Sequence, residues 1–416
     1  MKKTNFEKSA LLELFRLCQN HENPQKANTL LSHIPLLFST RNRAYCQSLF
    51  LGILRNKTLL ESALTPFIKN NTSYYLRTTL LAALFESLDG HFKKNPQIVH
   101  FYINLAKPIF SAKEVQFLNA VLRKSVEHLE ALLGDEQLPL STRYSHPDFL
   151  IQRWQTAFGE TATRALLEWN NTTPTIFLRQ RANSFDFKGI SSLQKTQWPN
   201  FYSWTRGETE GTWQEVIEAI DKGEVYAQDP STRIPIELLK PQPGDRVLDL
   251  CAAPGGKSLQ ILDRRPDHLV CVDRERRLAP LNENLKGAAT VIAADITSEG
   301  FLERLAPHTF NKVLLDAPCS NTGVIQRRPD VRWRLTPRDF ETLPALQLKL
   351  LQVAAQCVEP CGDLVYSTCS LDSDENVGVI NTFLAQNHAF SCLETRLSFP
   401  WIQAHDGAAA FLLRRG

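Results

Sequence analysis

The chain has 416 residues, of which 43% are hydrophobic and 22% charged, the composition of a globular protein with a sizeable core. That length leaves room for two or three domains of roughly 100–200 residues each. The net charge of +3 is close to balance and says little about partners, so any nucleic-acid surface must come from local clusters of Arg and Lys. No run of about 18 apolar residues exists to span a membrane, and Met1-Lys2-Lys3-Thr4-Asn5-Phe6-Glu7-Lys8 leads into no apolar stretch of signal-peptide kind. The nine cysteines lack framework spacing, so a reduced, cytoplasmic protein is expected. Cys357 and Cys361 form the one close pair, and no second pair or His cluster completes a metal site there. No metal, no membrane contact and a monomer are expected.

Residues 1–130 read as helix after helix. Apolar residues recur at helical spacing in Leu11, Leu12, Phe15 and Cys18, and again in Leu49, Ile53 and Leu54, which predicts a compact all-helical domain. Between 131 and 240, Trp, Pro, Asn and Thr become frequent and regular stretches are short, which predicts a small mixed α/β region. From 241 to 416 short apolar runs alternate with helix-compatible stretches. Val247-Leu248-Asp249-Leu250, Leu269-Val270-Cys271-Val272, Val291-Ile292-Ala293-Ala294, Val313-Leu314-Leu315 and Leu364-Val365-Tyr366 are those runs. This alternation predicts an α/β domain with a parallel, doubly wound, Rossmann-like sheet. Asp249, Asp273, Asp295 and Asp316 stand at the ends of four runs, where ligands bind in such sheets, so the four acids address one crevice.

Cys251-Ala252-Ala253-Pro254-Gly255-Gly256-Lys257 follows the first of these strands and opens a helix. Small residues let the backbone approach a ligand, and the helix start offers free N–H groups. Asp273 lies about 20 residues on, where a carboxylate holds ribose hydroxyls. A tight turn that binds nothing is the bland alternative. The loop with its serial acids points instead to a nucleoside cofactor, while the Gly-x-Gly-x-x-Gly spacing of dinucleotide sites and the Walker spacing are both absent.

Asp316-Ala317-Pro318-Cys319-Ser320 and Ser367-Thr368-Cys369-Ser370 each follow an apolar strand, so both cysteines face the same crevice. A lone buried cysteine is usually packing; two at equivalent strand ends suggest covalent catalysis by a thiolate. Carbon 5 of cytosine is a target that needs it, because a thiolate added to carbon 6 makes carbon 5 nucleophilic. Asp316, beside Cys319, stands where an acid at ring nitrogen 3 is required. The residues themselves do not say which cysteine attacks.

These motifs together resemble the Nop2/Sun group of RNA cytosine-C5 methyltransferases. Tyr226-Ala227-Gln228-Asp229-Pro230-Ser231 is similar to the segment that precedes the cofactor loop in that family. Arg43-Ala44 through Leu51-Gly52-Ile53-Leu54-Arg55, and Phe117-Leu118-Asn119-Ala120-Val121-Leu122-Arg123, resemble its NusB-like helical extension, with Tyr144-Ser145-His146-Pro147 and Trp154 following. That extension implies the small-subunit ribosomal RNA branch and a cytosine of the 967 type in 16S rRNA. The resemblance implies S-adenosylmethionine as cofactor, Cys369 as nucleophile and Cys319 as the group for product release. The loop from Cys251 to Lys257, with Asp273, Asp295 and Asp316, would line the cofactor site. Glu375-Asn376-Val377 mimics a motif of DNA cytosine methyltransferases and is read as coincidence. Asn321 stands where small residues are usual, Leu178-Arg179-Gln180-Arg181 departs from the pattern of an RNA-contact stretch, and Asp406-Gly407-Ala408-Ala409 lacks an aromatic pair.

Arg327, Arg328, Arg332, Trp333 and Arg334 crowd into a short stretch after the Pro-Cys segment, with Arg338 beyond it. A charge run is usually a solvated face, but Arg with an aromatic beside a crevice suits phosphate and base contact, and RNA binding is expected here. Two rival readings stay open. One is a non-catalytic NusB-like RNA-binding or assembly factor. The other is a DNA cytosine methyltransferase with Cys319 as nucleophile.

Overall fold

The computed structural model describes residues 2–21, 27–32, 40–90, 95–181, 193–204, 211–305 and 309–416. They divide into two compact units: residues 1–172 with 325–335, and residues 173–324 with 336–416. The sequence reading draws boundaries near 130 and 240. The structure draws its division at 172, because the helices Leu140–Arg143 and Asp148–Asn171 belong to the helical unit and the rest of the mixed region to the sheet-bearing one.

The sheet-bearing unit holds two sheets among its described residues. The larger is formed by β5 (Arg246–Leu250), β6 (His268–Asp273), β7 (Thr290–Ala293), β8 (Phe310–Asp316), β9 (Val358–Thr368), β10 (Phe390–Ser398) and β11 (Ala408–Arg415), in the order β10-β11-β9-β8-β5-β6-β7. The strands from β5 to β9 pair in parallel, and β10 and β11 close one side antiparallel. The apolar runs are continuous because helices cover both faces. Val247, Leu248 and Leu250 are each fully buried, and the helix Asp339–Gln356 buries Phe340, Gln347, Leu350, Leu351, Ala354 and Ala355 at helical spacing. From β5 the chain runs outward to β6 and β7, then returns to β8 on the other side. The strand order therefore reverses between β5 and β8, the place where open α/β sheets bind ligands. The smaller antiparallel sheet, β2 (Leu193–Lys195), β3 (Phe201–Trp204), β1 (Ile176–Gln180) and β4 (Val225–Ala227), carries the mixed character read from the sequence.

In the helical unit, local signals and packing agree. Ser111 and Glu114 form a capping box at the start of the helix Ala112–Gly134: the Ser111 backbone N–H donates to Glu114 at 2.8 Å, and the Glu114 N–H donates back to the Ser111 hydroxyl at 3.4 Å. Gly52 is glycine for a packing reason. A Cβ there would lie 2.1 Å from the ring of Phe85, so its absence lets the helices Thr40–Arg55 and Tyr74–Leu88 close on one another.

Residues 325–335 complete this unit, and they overturn part of the RNA reading. Arg332 is fully buried, its guanidinium directed at the carbonyl oxygens of Arg55, Ser145 and Asn170 at 3.1–3.2 Å and the side-chain oxygen of Asn171 at 2.8 Å. Burial pulls its pKa well down, with the nearby Arg55 adding to the effect. His146 packs beside it and is held neutral, well below its ordinary pKa, by burial and by that same charge. Trp333 donates its indole N–H to the Leu54 carbonyl at 2.7 Å, and Arg334 is spent on the buried Asp330 at 2.8 Å. Arg332 is therefore a core residue that offers nothing to RNA, and Trp333 and Arg334 are committed to the unit's own packing. Arg328 is exposed and Arg327 half-buried. Replacing Arg332 with Met strands three buried carbonyl oxygens, and the full chain should lose about 3–5 kcal/mol in chemical denaturation. A loss below about 1 kcal/mol would show that those acceptors find other donors.

Candidate active site

The register of two strands assembles the site. β8 and β9 pair in parallel with Asp316 opposite Ser367, so Cys319 and Cys369 leave the same sheet edge at the same level. Their sulfurs lie 3.3 Å apart. The loops that carry them are locked together beneath. Glu375 is fully buried and accepts the Ser320 N–H at 2.8 Å, the Gln347 side-chain amide at 2.8 Å and the Ser370 hydroxyl at 2.5 Å. Gln347 also donates to the Pro318 carbonyl at 2.9 Å, and Thr322 accepts the Leu371 N–H at 2.9 Å. Gly323 donates to the Cys369 carbonyl at 2.9 Å, and Gly407 donates to the Gly323 carbonyl at the same distance. A Cβ on Gly323 would stand 2.7 Å from the Cys369 carbonyl oxygen, so these backbones touch only because both residues are glycine. The Asp406-Gly407 pair thus packs on the cysteine loops without the aromatic pair.

Sequence reasoning passes over Glu375, treating its triplet as chance, and gives Gln347, Ser367 and Thr322 no role. Their signal was position alone: polar residues a short distance from a strand-end cysteine, or inside an otherwise apolar helix.

Asp316 accepts from the Lys257 ammonium at 2.6 Å and from the Ser367 hydroxyl at 2.9 Å. Burial works to lower the Lys257 pKa, but the Asp316 carboxylate more than offsets it, and the net direction is upward. The Lys257 ammonium is also close enough to Cys369 for their charges to interact. The Cys319 thiol is pushed well up by its hydrogen bond to Cys369 and by burial, with the Glu375 charge behind it.

The cofactor loop is pinned by side chains that the sequence did not single out, together with one that it did. Asp273 accepts the Ala253 N–H at 2.9 Å and the Arg274 N–H at 2.8 Å; Arg277 and Asn284 donate to the Ala253 and Pro254 carbonyls, both at 2.8 Å. Gly255 has φ 106°, and a Cβ on Gly256 would meet the Gln228 amide at 2.9 Å and the Tyr226 ring at 3.3 Å. The segment from Tyr226 to Gln228 is thus a wall of the loop. Cys251 contributes backbone: burial raises its thiol to about 12, which leaves it inert. Asp295 is held ionised by hydrogen bonds from the Thr297 N–H and hydroxyl, and its side chain is 41% exposed. Asp249 is buried with one oxygen lacking any partner. Carboxylates ranged along strand ends around a bare backbone loop suit a ligand with an ammonium, a ribose diol and an exocyclic amine, and the residues present fit S-adenosylmethionine. Arg179 and Arg181, in the departing stretch, both pair with Asp263.

The sheet and loop define the class: a Rossmann-like, S-adenosylmethionine-dependent methyltransferase. The model of the 16S rRNA methyltransferase RsmB/F family matches residues 236–409, and that of the NusB family matches residues 8–127. The chain is 31% identical over 403 residues to ribosomal RNA small subunit methyltransferase B of Salmonella arizonae, covering 90% of this chain and 89% of the relative. It is 31% identical to the protein of that name from Klebsiella pneumoniae, over 88% of this chain and 86% of the relative. The chain belongs to the ribosomal RNA small subunit methyltransferase B family. Among solved structures, PH0851 shares the fold with a TM-score of 0.77 at 21% identity, over 99% of this chain and 98% of that one. NSun6 from Pyrococcus horikoshii shares it with a TM-score of 0.55 at 16% identity, over 65% of this chain and 98% of that one.

Two measurements test the cofactor side. Asp273→Ala should weaken S-adenosylmethionine binding by roughly 1.5–3 kcal/mol in calorimetry; unchanged affinity in a folded variant removes Asp273 from the site. Burial pushes the Asp249 carboxyl up to about 7, partly countered by the Ser258 hydroxyl at 2.5 Å. The folded state then keeps a proton that the unfolded chain releases near pH 4, so this residue costs stability as pH rises from about 4 to about 7. Asp249→Asn should gain on the wild type through that window, by on the order of 2–4 kcal/mol, and hold the gain above it. A pH-independent difference in denaturation midpoint would refute the buried proton.

Proposed function

We propose that this enzyme methylates carbon 5 of a cytosine in 16S ribosomal RNA, at a site of the 967 type, through a covalent bond between Cys369 and carbon 6. The observation that carries the reading is the pair of sulfurs 3.3 Å apart beside the Lys257–Asp316 ion pair. The Cys369 thiolate adds to carbon 6 while ring nitrogen 3 takes a proton. Asp316 is an acceptor in the resting geometry, so a proton delivered through it originates on Lys257. Bound S-adenosylmethionine supplies an electrophilic methyl group to carbon 5. The proton on carbon 5 must then leave as the carbon 6–sulfur bond breaks and Cys369 departs as a thiolate. Cys319 suits the base: once Cys369 is a thioether, the charge and hydrogen bond that hold the proton on Cys319 are gone, and that proton passes to solvent. The Cys319 thiolate then takes the carbon 5 proton, and ring nitrogen 3 returns its proton through Asp316 to Lys257. The target base must leave its stack to reach both sulfur and cofactor, so a looped or flipped cytosine is implied. Arg327 and Arg328 remain the candidates for phosphate contact from their stretch. A cytoplasmic monomer acting on rRNA completes the proposal.

The two cysteines separate in one experiment. Cys369→Ala should be inactive and form no covalent RNA complex. Cys319→Ala should attack and methylate, then stall, giving a protein band shifted by RNA on denaturing gels and carrying labelled methyl groups. The reverse pattern would give Cys319 the nucleophile role of DNA cytosine methyltransferases. No activity and no adduct on any rRNA, even in the wild type, would leave a non-catalytic assembly factor.

A further inference from the structure

Asn321 sits between the two cysteines and touches both. Its backbone is left-handed, with φ 63°, a conformation that Asn adopts more readily than other residues with a side chain. Its side-chain NH2 donates to the Cys319 carbonyl at 2.6 Å, and that bond decides which way the amide faces. The amide oxygen is left toward Cys369, whose sulfur lies 3.5 Å away as the donor. The Asn321 backbone N–H bonds to Cys319 as well. Together with the sulfur–sulfur contact, these bonds close a ring. Cys319 S–H donates to the Cys369 sulfur, Cys369 S–H donates to the Asn321 oxygen, and the Asn321 NH2 donates to the Cys319 carbonyl. The ring runs one way only, because the amide oxygen cannot donate.

We propose that Asn321 is a positioning residue that holds Cys369 as a thiol aimed at its amide oxygen, restraining the nucleophile until substrate enters. This rests on the reading of Cys369 as the attacking group. A hydrogen bond to the neutral form opposes the charged one, and a sulfur anion would face the negative end of the amide dipole, an effect set against the nearby Lys257 ammonium, which favours the anion. When Cys369 ionises, its proton passes to solvent and this contact is lost. Asn321 thus trades resting reactivity for aim, at a position where a smaller residue would do neither.

The test measures the rate at which iodoacetamide alkylates Cys369 in the full chain, with each cysteine followed separately by peptide mass spectrometry. N321G keeps the left-handed backbone and removes the amide; N321D keeps the shape and adds negative charge beside the sulfur. At neutral pH, N321G should react about fivefold faster than wild type and N321D about fivefold slower. The pH profile of alkylation should move down for N321G and up for N321D. Retained S-adenosylmethionine binding certifies each fold. Equal rates in wild type and N321G overturn the proposal, as does a faster reaction in both variants, which would mean that Asn321 only tightens the loop. If N321D does not fold, N321G alone decides. Because alkylation reads the Cys369 sulfur directly, failure here is distinct from failure of the nucleophile assignment, which the RNA adduct reports.

Discussion

One buried carboxylate holds the chemistry in register. Glu375 lies out of reach of solvent and receives hydrogen bonds from the loop after Cys319, from the loop after Cys369 and from a helix packed behind both. Taking an ionised carboxylate out of water costs several kcal/mol, and hydrogen bonds to a charged group return roughly 1.5–3 kcal/mol each. The arrangement is therefore favourable only when both loops are in place together. A structure that loses either loop strands the charge, so the clamp selects a single geometry for the two sulfurs. Everything proposed for the mechanism depends on that geometry being present before substrate arrives.

The cofactor side is built on a different principle. There the backbone must stay bare, and the loop from Cys251 to Lys257 is held from behind by Asp273, Arg277 and Asn284. Lys257 joins the two halves: it opens the helix after the cofactor loop, and its ammonium is bonded to the acid at the end of β8. In the proposed mechanism the methyl donor on one side and the base on the other share that single ion pair.

The parallel sheet, the strand-end acids and both cysteines were legible in the sequence because each follows from strand periodicity and from the rule that ligands bind at strand ends. The helical unit was legible from its spacing. What could not be read was which polar residues turn inward. Arg332 looks like its neighbours in a basic run, and only the fold shows that carbonyls from three separate segments converge on it. Glu375 failed for the opposite reason: its triplet resembled a motif from another enzyme class, which drew attention from its position six residues after Cys369. Gly407 was noted for a missing aromatic pair, whereas its importance is the absence of its own side chain.

The discontinuity of the helical unit has a consequence for how the chain comes to be folded. The segment 325–335 belongs to a unit whose other residues end at 172. During synthesis the helices emerge more than 150 residues ahead of the guanidinium that satisfies their inward-facing carbonyls. Until then the nascent unit has polar groups in its interior with no donor, a state open to water and to chaperones. Residues 1–172 alone therefore do not complete the helical unit. Cut out at 172, the unit would lack the guanidinium that these carbonyls face.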